Sequence, residues 1–219
     1  PSPGPKLKIE KIHFDGATRA PLHFAYTSGI EILNNKITNV LPQSYPYKWK
    51  GGEKLLLNSG ILLGNRFVHK EKIIPGAVTG HLIFSNNIVD LKCKEPEITM
   101  GQGVFAVYTW GAVIEITGNT FRNVSRNSIE TLDNYVGDEG QGNILIADNN
   151  IVTPKVGIPF PSPKTPNGIM VGWFFNKSGC SDPALLSKIS VIRNYVQANG
   201  ETSIGIASLA DGVSVLGNH

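Results

Sequence analysis

The chain has 219 residues, of which 41% are hydrophobic and 17% charged. That composition supports a real core and excludes a disordered charged tail, while 24 Gly and 14 Pro without a Gly-x-y period exclude both a coiled coil and collagen. A net charge of +3 falls short of the clustered basic face that nucleic acid demands, and no apolar run approaches the roughly 20 residues of a membrane-spanning helix.

Residues 1–6 are a Pro-rich lead with no apolar signal core. One pattern then recurs to the end of the chain: apolar, any, apolar, any, any, Asn, any, apolar. It opens with Leu7, Ile9, Ile12 and Phe14, where Ile12 takes the Asn place. It returns as Ile30, Ile32, Asn35, Ile37, and as Leu82–Ile83 with Asn86 and Ile88. Three further copies are Ile114, Ile116, Asn119, Phe121; Ile144, Ile146, Asn149, Ile151; and Ile189, Val191, Asn194, Val196. The last is Val213, Val215, Asn218.

A second short strand is predicted before each Asn copy: Leu22–Phe24, Ile61–Leu63, Phe105–Val107, Ile129–Thr131, Ile169–Val171 and Ile204–Ile206. The minimal unit spans 24 residues, and longer units carry insertions between fixed strands. Triplets this brief match the period of two of a strand and are too short to bury a face alone. They must therefore stack on equivalent strands of neighbouring units, about 4.8 Å apart. Asn at the bend tolerates the left-handed backbone conformation, and stacked amides can hydrogen-bond from unit to unit. A propeller repeat is longer, a leucine-rich repeat needs Leu-rich or helical spacing, and doubly wound folds need amphipathic helices between strands.

With LKIEKIHFDGA, VIEITGNTFRNV, ILIADNNIV and VSVLGNH as carriers, the chain resembles the right-handed parallel β-helix of the pectin-lyase-like superfamily over nearly its whole length. The resemblance implies an all-β solenoid of about six to seven coils. It does not select an activity, because that superfamily includes lyases, hydrolases, epimerases, tailspikes and non-catalytic surface proteins. Residues 1–219 read as one domain, with loops near 41–54, 68–78, 93–100, 135–142 and 153–167. The repeat begins almost at once and runs to the last residues, so the chain reads as a segment of a longer β-helix with flanking domains. Cys93 and Cys180 are either paired or two buried thiols.

Strand alternation predicts an outward strip of His23, Leu62, Ala106, Glu130, Met170 and Gly205. Just beyond it lie Tyr26, Asn65, Arg66, Tyr108, Trp110, Asp133, Trp173 and Phe174. Aromatic faces beside amides and carboxylates suit sugar rings, whose C–H faces stack and whose hydroxyls hydrogen-bond. His23, Tyr26, Asn65, Tyr108, Trp110 and Trp173 are the carbohydrate-binding candidates; Asp133, Glu130 and Arg66 are the catalytic ones. A glycoside hydrolase needs two carboxyls facing one bond, and a lyase needs a basic residue, often with calcium. The paired Asp and Gly-His-Gly of polygalacturonases and the Arg-x-Pro-x-x-Arg of pectate lyases are both absent from the sequence. Asp138 and Glu139 in GDEG make a weak calcium loop at best. His13, His23, His69, His81 and His219 lack zinc spacing, and the Asn123 and Asn176 sequons are expected by chance in an Asn-rich chain. The expectation is an extracellular or cell-surface domain that binds or processes a polysaccharide, as lyase or hydrolase if an enzyme. No cofactor beyond a weak calcium candidate, no nucleic-acid partner and no membrane insertion are expected; the alternative is a non-catalytic structural or adhesive β-helix module.

Overall fold

The computed structural model describes residues 7–24, 27–41, 43–48, 54–63, 78–92, 99–135, 142–155, 166–172, 188–200, 203–208 and 212–219. For residues 27, 43–48, 54–58, 78–79, 99–100, 107, 108, 110 and 133 it describes the backbone alone. Cys93 and Cys180 lie outside the described residues, as do Asp138 and Glu139.

The architecture is a right-handed parallel β-helix built of three stacked sheets. The first sheet has seven strands: β1 (Leu7–Glu10), β4 (Thr27–Leu33), β8 (Val78–Ser85), β11 (Val113–Thr117), β14 (Asn143–Ala147), β17 (Lys188–Ile192) and β20 (Val213–Leu216). The second stacks β3 (Leu22–Phe24), β7 (Lys54–Leu63), β10 (Thr99–Trp110), β13 (Asn127–Tyr135), β16 (Asn167–Gly172) and β19 (Ile206–Ser208). The third stacks β2 (His13–Asp15), β5 (Lys36–Thr38), β9 (Ile88–Asp90), β12 (Thr120–Arg122), β15 (Asn150–Val152) and β18 (Tyr195–Gln197). Each coil visits first, third and second sheet in turn, and every neighbour within these stacks is parallel.

Register turns the sequence repeat into columns. In the first sheet Ile30, Leu82, Ile114, Ile144 and Ile189 align, and beside them Ile32, Phe84, Ile116, Ile146 and Val191. The third sheet contributes Phe14, Ile37, Val89, Phe121, Ile151 and Val196. The second contributes Leu22, Ile61, Val104, Ile129, Ile169 and Ile206. These columns form one continuous core. Each fully buried aliphatic side chain stabilises the fold by roughly 1.5–3 kcal/mol.

The corner between first and third sheets is always two residues long. Their side chains divide two tasks that the sequence assigned to one Asn. The first residue of the pair has positive φ: Lys11 (58°), Asn34 (56°), Asn86 (56°), Gly118 (65°), Asp148 (56°), Arg193 (53°) and Gly217 (59°). The second points inward and bears the ladder amide. Asn35, Asn87, Asn119, Asn149, Asn194 and Asn218 bond in series through Nδ2–H donated to the next Oδ1, at 2.9–3.1 Å. The same Oδ1 also accepts the backbone N–H of the preceding Asn. A second Nδ2–H bonds back to a first-sheet carbonyl of the coil before, as Asn119 does to Phe84 O at 2.9 Å. Ile12, in the Asn place, donates its N–H to Asn35 Oδ1 at 3.0 Å. In the third copy the ladder residue is therefore Asn87, buried, and not Asn86, which is exposed. The left-handed residue leans its side chain out to solvent, and only the residue after it reaches the interior.

Two further readings need correction. The segment Gln43–Lys48, expected as loop, forms β6, paired antiparallel with β7 at Gln43↔Leu57 and Ser44↔Leu56. Its tyrosines favour a strand, and β6 is an edge strand, where Pro46 removes no ladder bond from a second neighbour. The inward triplets of β10 and β19 are also shifted. Val104 and Ala106 face the core in place of Phe105 and Val107, and β19 begins at Ile206.

The shift in β10 has a steric cause. Gly60, Gly103 and Gly168 lie where the chain enters the second sheet, pressed against the third. A Cβ on Gly60 would come 2.8 Å from Val89 Cγ1, and one on Gly103 would come 2.6 Å from Phe121 Cδ1. The equivalent Cβ on Gly168 would strike Val196 Cγ1. This close approach fixes the phase of the strand that follows it.

Candidate functional site

Corner lengths locate the face that varies. Between first and third sheets each coil spends only its two-residue corner, such as Gly118–Asn119. Between third and second sheets the chain spends anything from residues 123–126 to 153–166, and between second and first anything from 111–112 to 173–187. All insertions thus flank the second sheet. Loops carried on a rigid scaffold are where binding residues concentrate.

The outer face of that sheet has two rows. At the strand entry lie Ser59, Gln102, Asn127 and Asn167, all buried. Asn167 donates Nδ2–H to Asn127 Oδ1 at 2.9 Å, and Ser59 Oγ donates to Gln102 Oε1 at 3.3 Å. The next row, in register, is His23, Leu62, Phe105, Glu130, Met170 and Ala207. Ala106 faces the core, so Phe105 holds the place expected for it, and Ala207 holds the place expected for Gly205. Leu62, Phe105 and Leu132 form an apolar cluster separate from the interior core.

Glu130 is the charged centre of this face and only 1% exposed. Its Oε2 accepts from Gln102 Nε2 at 3.2 Å. Its Oε1 lies 3.4 Å from Arg126 Nη2, an ion pair, and has no hydrogen-bond donor of good geometry among the described residues. Farther along β13, Asn134 donates Nδ2–H to Thr109 Oγ1 at 2.9 Å, and its Oδ1 has no partner among the described residues. A buried acceptor without a donor is costly by about 1–3 kcal/mol and calls for an explanation. The other two unpartnered atoms, Ser128 Oγ and Thr131 Oγ1, belong to hydroxyls of the same strand.

Of the expected site residues, His23 lies on this face and is exposed, and Glu130 lies on it and is buried. Tyr108 and Trp110 are on β10 and Asp133 is on β13, with their side chains outside the described set. Tyr26, Asn65, Arg66, Trp173 and Phe174 lie outside the described residues. Gln102, Arg126, Asn127, Asn134 and Asn167 were not singled out by sequence. A signal existed: RNSIE and PNGIM share Asn, a small residue and Ile, which places Asn127 and Asn167 in one column. Among the described residues no group of three or more His, Cys, Asp or Glu side chains is placed to hold a metal ion. Among the described residues no helix is long and apolar enough to cross a membrane.

Comparison of the chain with known protein families, with curated proteins and with solved structures returned no match.

Proposed function

We propose that this chain is an extracellular or cell-surface β-helix domain that binds or processes a polysaccharide on the outer face of its second sheet. One observation carries the reading: every corner of variable length borders that sheet, whose outer face presents a buried carboxylate with an unpartnered oxygen. An extended, one-dimensional sheet face suits an extended polymer. Tyr108 and Trp110 on β10 supply aromatic residues to the same strand as Phe105.

The test is a titration of intrinsic tryptophan fluorescence with neutral and acidic polysaccharides. The reading expects a saturable change with one class, diminished in Trp110→Ala and Trp173→Ala. A flat response to every polymer, with no product released from any, would retire it.

A non-catalytic structural or adhesive module is the second reading. It is favoured by the closure of the middle of the face: Leu62, Phe105, Glu130 and Leu132 are at most 6% exposed.

A further inference from the structure

We propose that Asn123 is the acceptor of an N-linked glycan. The inference goes beyond the polysaccharide reading and shares with it only the extracellular placement.

Asn123, Val124 and Ser125 form an Asn-x-Ser sequon, the triplet that N-glycosylating enzymes read. Chance supplies such triplets in an Asn-rich chain but does not choose where they land. A ladder asparagine could carry no sugar: Asn119 and Asn149 are 1% exposed, and each donates Nδ2–H both to a backbone carbonyl and to the next amide. Asn123 is the opposite case. It directly follows β12, has a left-handed φ of 52° and is exposed.

The adjoining coils leave room for a substituent. Arg122 is in register with Asp90 on one side and Val152 on the other. Leu91 and Thr153, the residues that follow these two, therefore hold the corner place of Asn123 in the neighbouring coils. Both are 1% exposed, so their side chains turn inward where that of Asn123 turns out. Asn123 Nδ2 donates to Asp90 Oδ1 at 2.7 Å, a bond open to solvent. Glycosylation replaces one of the two Nδ2 hydrogens and leaves the other for Asp90.

Ser125 sets the order of events. In the fold it is 3% exposed, and its Oγ accepts the N–H of Gly101, on β10 of the preceding coil, at 2.9 Å. The triplet is thus readable only before this coil closes on that one, while the chain is still emerging. In the transfer step Nδ2 of Asn123 bonds to the anomeric carbon of an oligosaccharide carried on a polyprenyl pyrophosphate. The bond from that carbon to the pyrophosphate oxygen breaks, the pyrophosphate leaves with the electron pair, and Nδ2 gives up one proton. Folding then buries Ser125 and leaves the sugar outside.

The experiment is secretion of the full chain from a eukaryotic cell behind a cleavable signal peptide. The folded, secreted protein is peptide-mapped by mass spectrometry after treatment with the amidase that releases N-glycans. That enzyme turns each glycosylated Asn into Asp, so heavy-oxygen water marks every occupied site. The mark is expected on residue 123 in most secreted chains. Asn123→Gln should lose that glycan and keep the circular dichroism of the parent; should the variant fail to be secreted, the map of the parent alone decides. An unmarked Asn123 in the folded, secreted chain overturns the inference, whether or not Asn176 is marked. So does a glycan on Asn123 confined to misfolded, retained chains. Either result leaves the polysaccharide reading to its own fluorescence titration.

Discussion

Asn119 gives both its backbone N–H and one side-chain N–H to Oδ1 of Asn149, each at 3.0 Å. One oxygen thus joins two coils at their shortest corner. Asn119 Oδ1 receives the same pair of donors from Asn87, at 2.8 and 3.1 Å. Asn119→Ala therefore leaves the Asn87 backbone N–H unmet and removes one side-chain hydrogen bond each from Asn87 Nδ2, Asn149 Oδ1 and Phe84 O, while the backbone N–H of residue 119 still reaches Asn149 Oδ1. With about 1–3 kcal/mol for the buried N–H left unmet and about 0.5–1.5 kcal/mol for each further bond lost, the loss should be roughly 3–5 kcal/mol. Asn218→Ala, half-buried and bonded to a single neighbouring rung, should lose less. Urea midpoints of the two variants rank them, and equal losses would contradict a ladder of this kind.

The residue before each ladder Asn is under a different constraint. Asn86→Gly, at φ 56°, should be neutral or slightly stabilising, since Gly adopts that conformation without strain. Gly118→Ala should be destabilising by about 1–2 kcal/mol, because φ is 65° and the new Cβ would lie 2.5 Å from Asn86 Oδ1. Thermal melts of both variants check the contrast.

Gly103→Ala should be worse. Its Cβ would meet the Ser128 carbonyl and come 2.6 Å from Phe121 Cδ1, in a core with no room to yield. A loss of about 3 kcal/mol or more is expected, and Phe121→Leu in the same chain should recover part of it by opening space. A double-mutant cycle measures the coupling.

This glycine marks how far the sequence could be read. The stacking into parallel sheets and the place of Ile12 at the head of the ladder follow from apolar triplets and their spacing. The phase of β10 does not. In GQGVFAV either Val104 and Ala106 or Phe105 and Val107 can face inward, and bulk favours the wrong pair. The approach of Gly103 to Phe121 on another sheet decides it, a tertiary contact that local pattern does not contain. Asn86 and Asn87 pose the same problem, since both are Asn and only register separates the left-handed residue from the inward one. At the site, alternation placed His23, Leu62, Glu130 and Met170 on the outer face. It carried no information on Glu130 being covered, because burial of an outward residue depends on segments remote in sequence.

The pair of half-buried Arg126 and buried Glu130 should respond asymmetrically to substitution. Arg126→Ala leaves a carboxylate at 1% exposure with no counter-charge among the described residues, and a loss of about 3 kcal/mol is expected. Glu130→Gln leaves no buried anion behind and should lose less. Denaturant unfolding of the two single variants would expose a wrong assignment if the order were reversed.

On the surface, Arg193 grips Asp148 through Nε and Nη2, both at 2.8 Å, and these bonds hold the Asp148 carboxyl below the usual range. Asp15 is lowered likewise by Thr38 and Asn39. Where the folded pKa is depressed, the unfolded chain binds more protons, so stability rises with pH through the window. The contribution is complete above the ordinary carboxylate pKa and disappears as pH falls through the lowered value. Melting temperatures from pH 7 down to 2 should fall less steeply for Asp148→Asn than for the parent, and high salt should reduce the difference.

Along the ladder every amide oxygen faces the N-terminal coils, so the side-chain dipoles add head to tail instead of cancelling. The solenoid therefore carries a polarised wire down one edge, in which each link strengthens the next. A break near the middle would weaken two shorter wires at once, which makes the central rungs the ones least able to tolerate any other side chain.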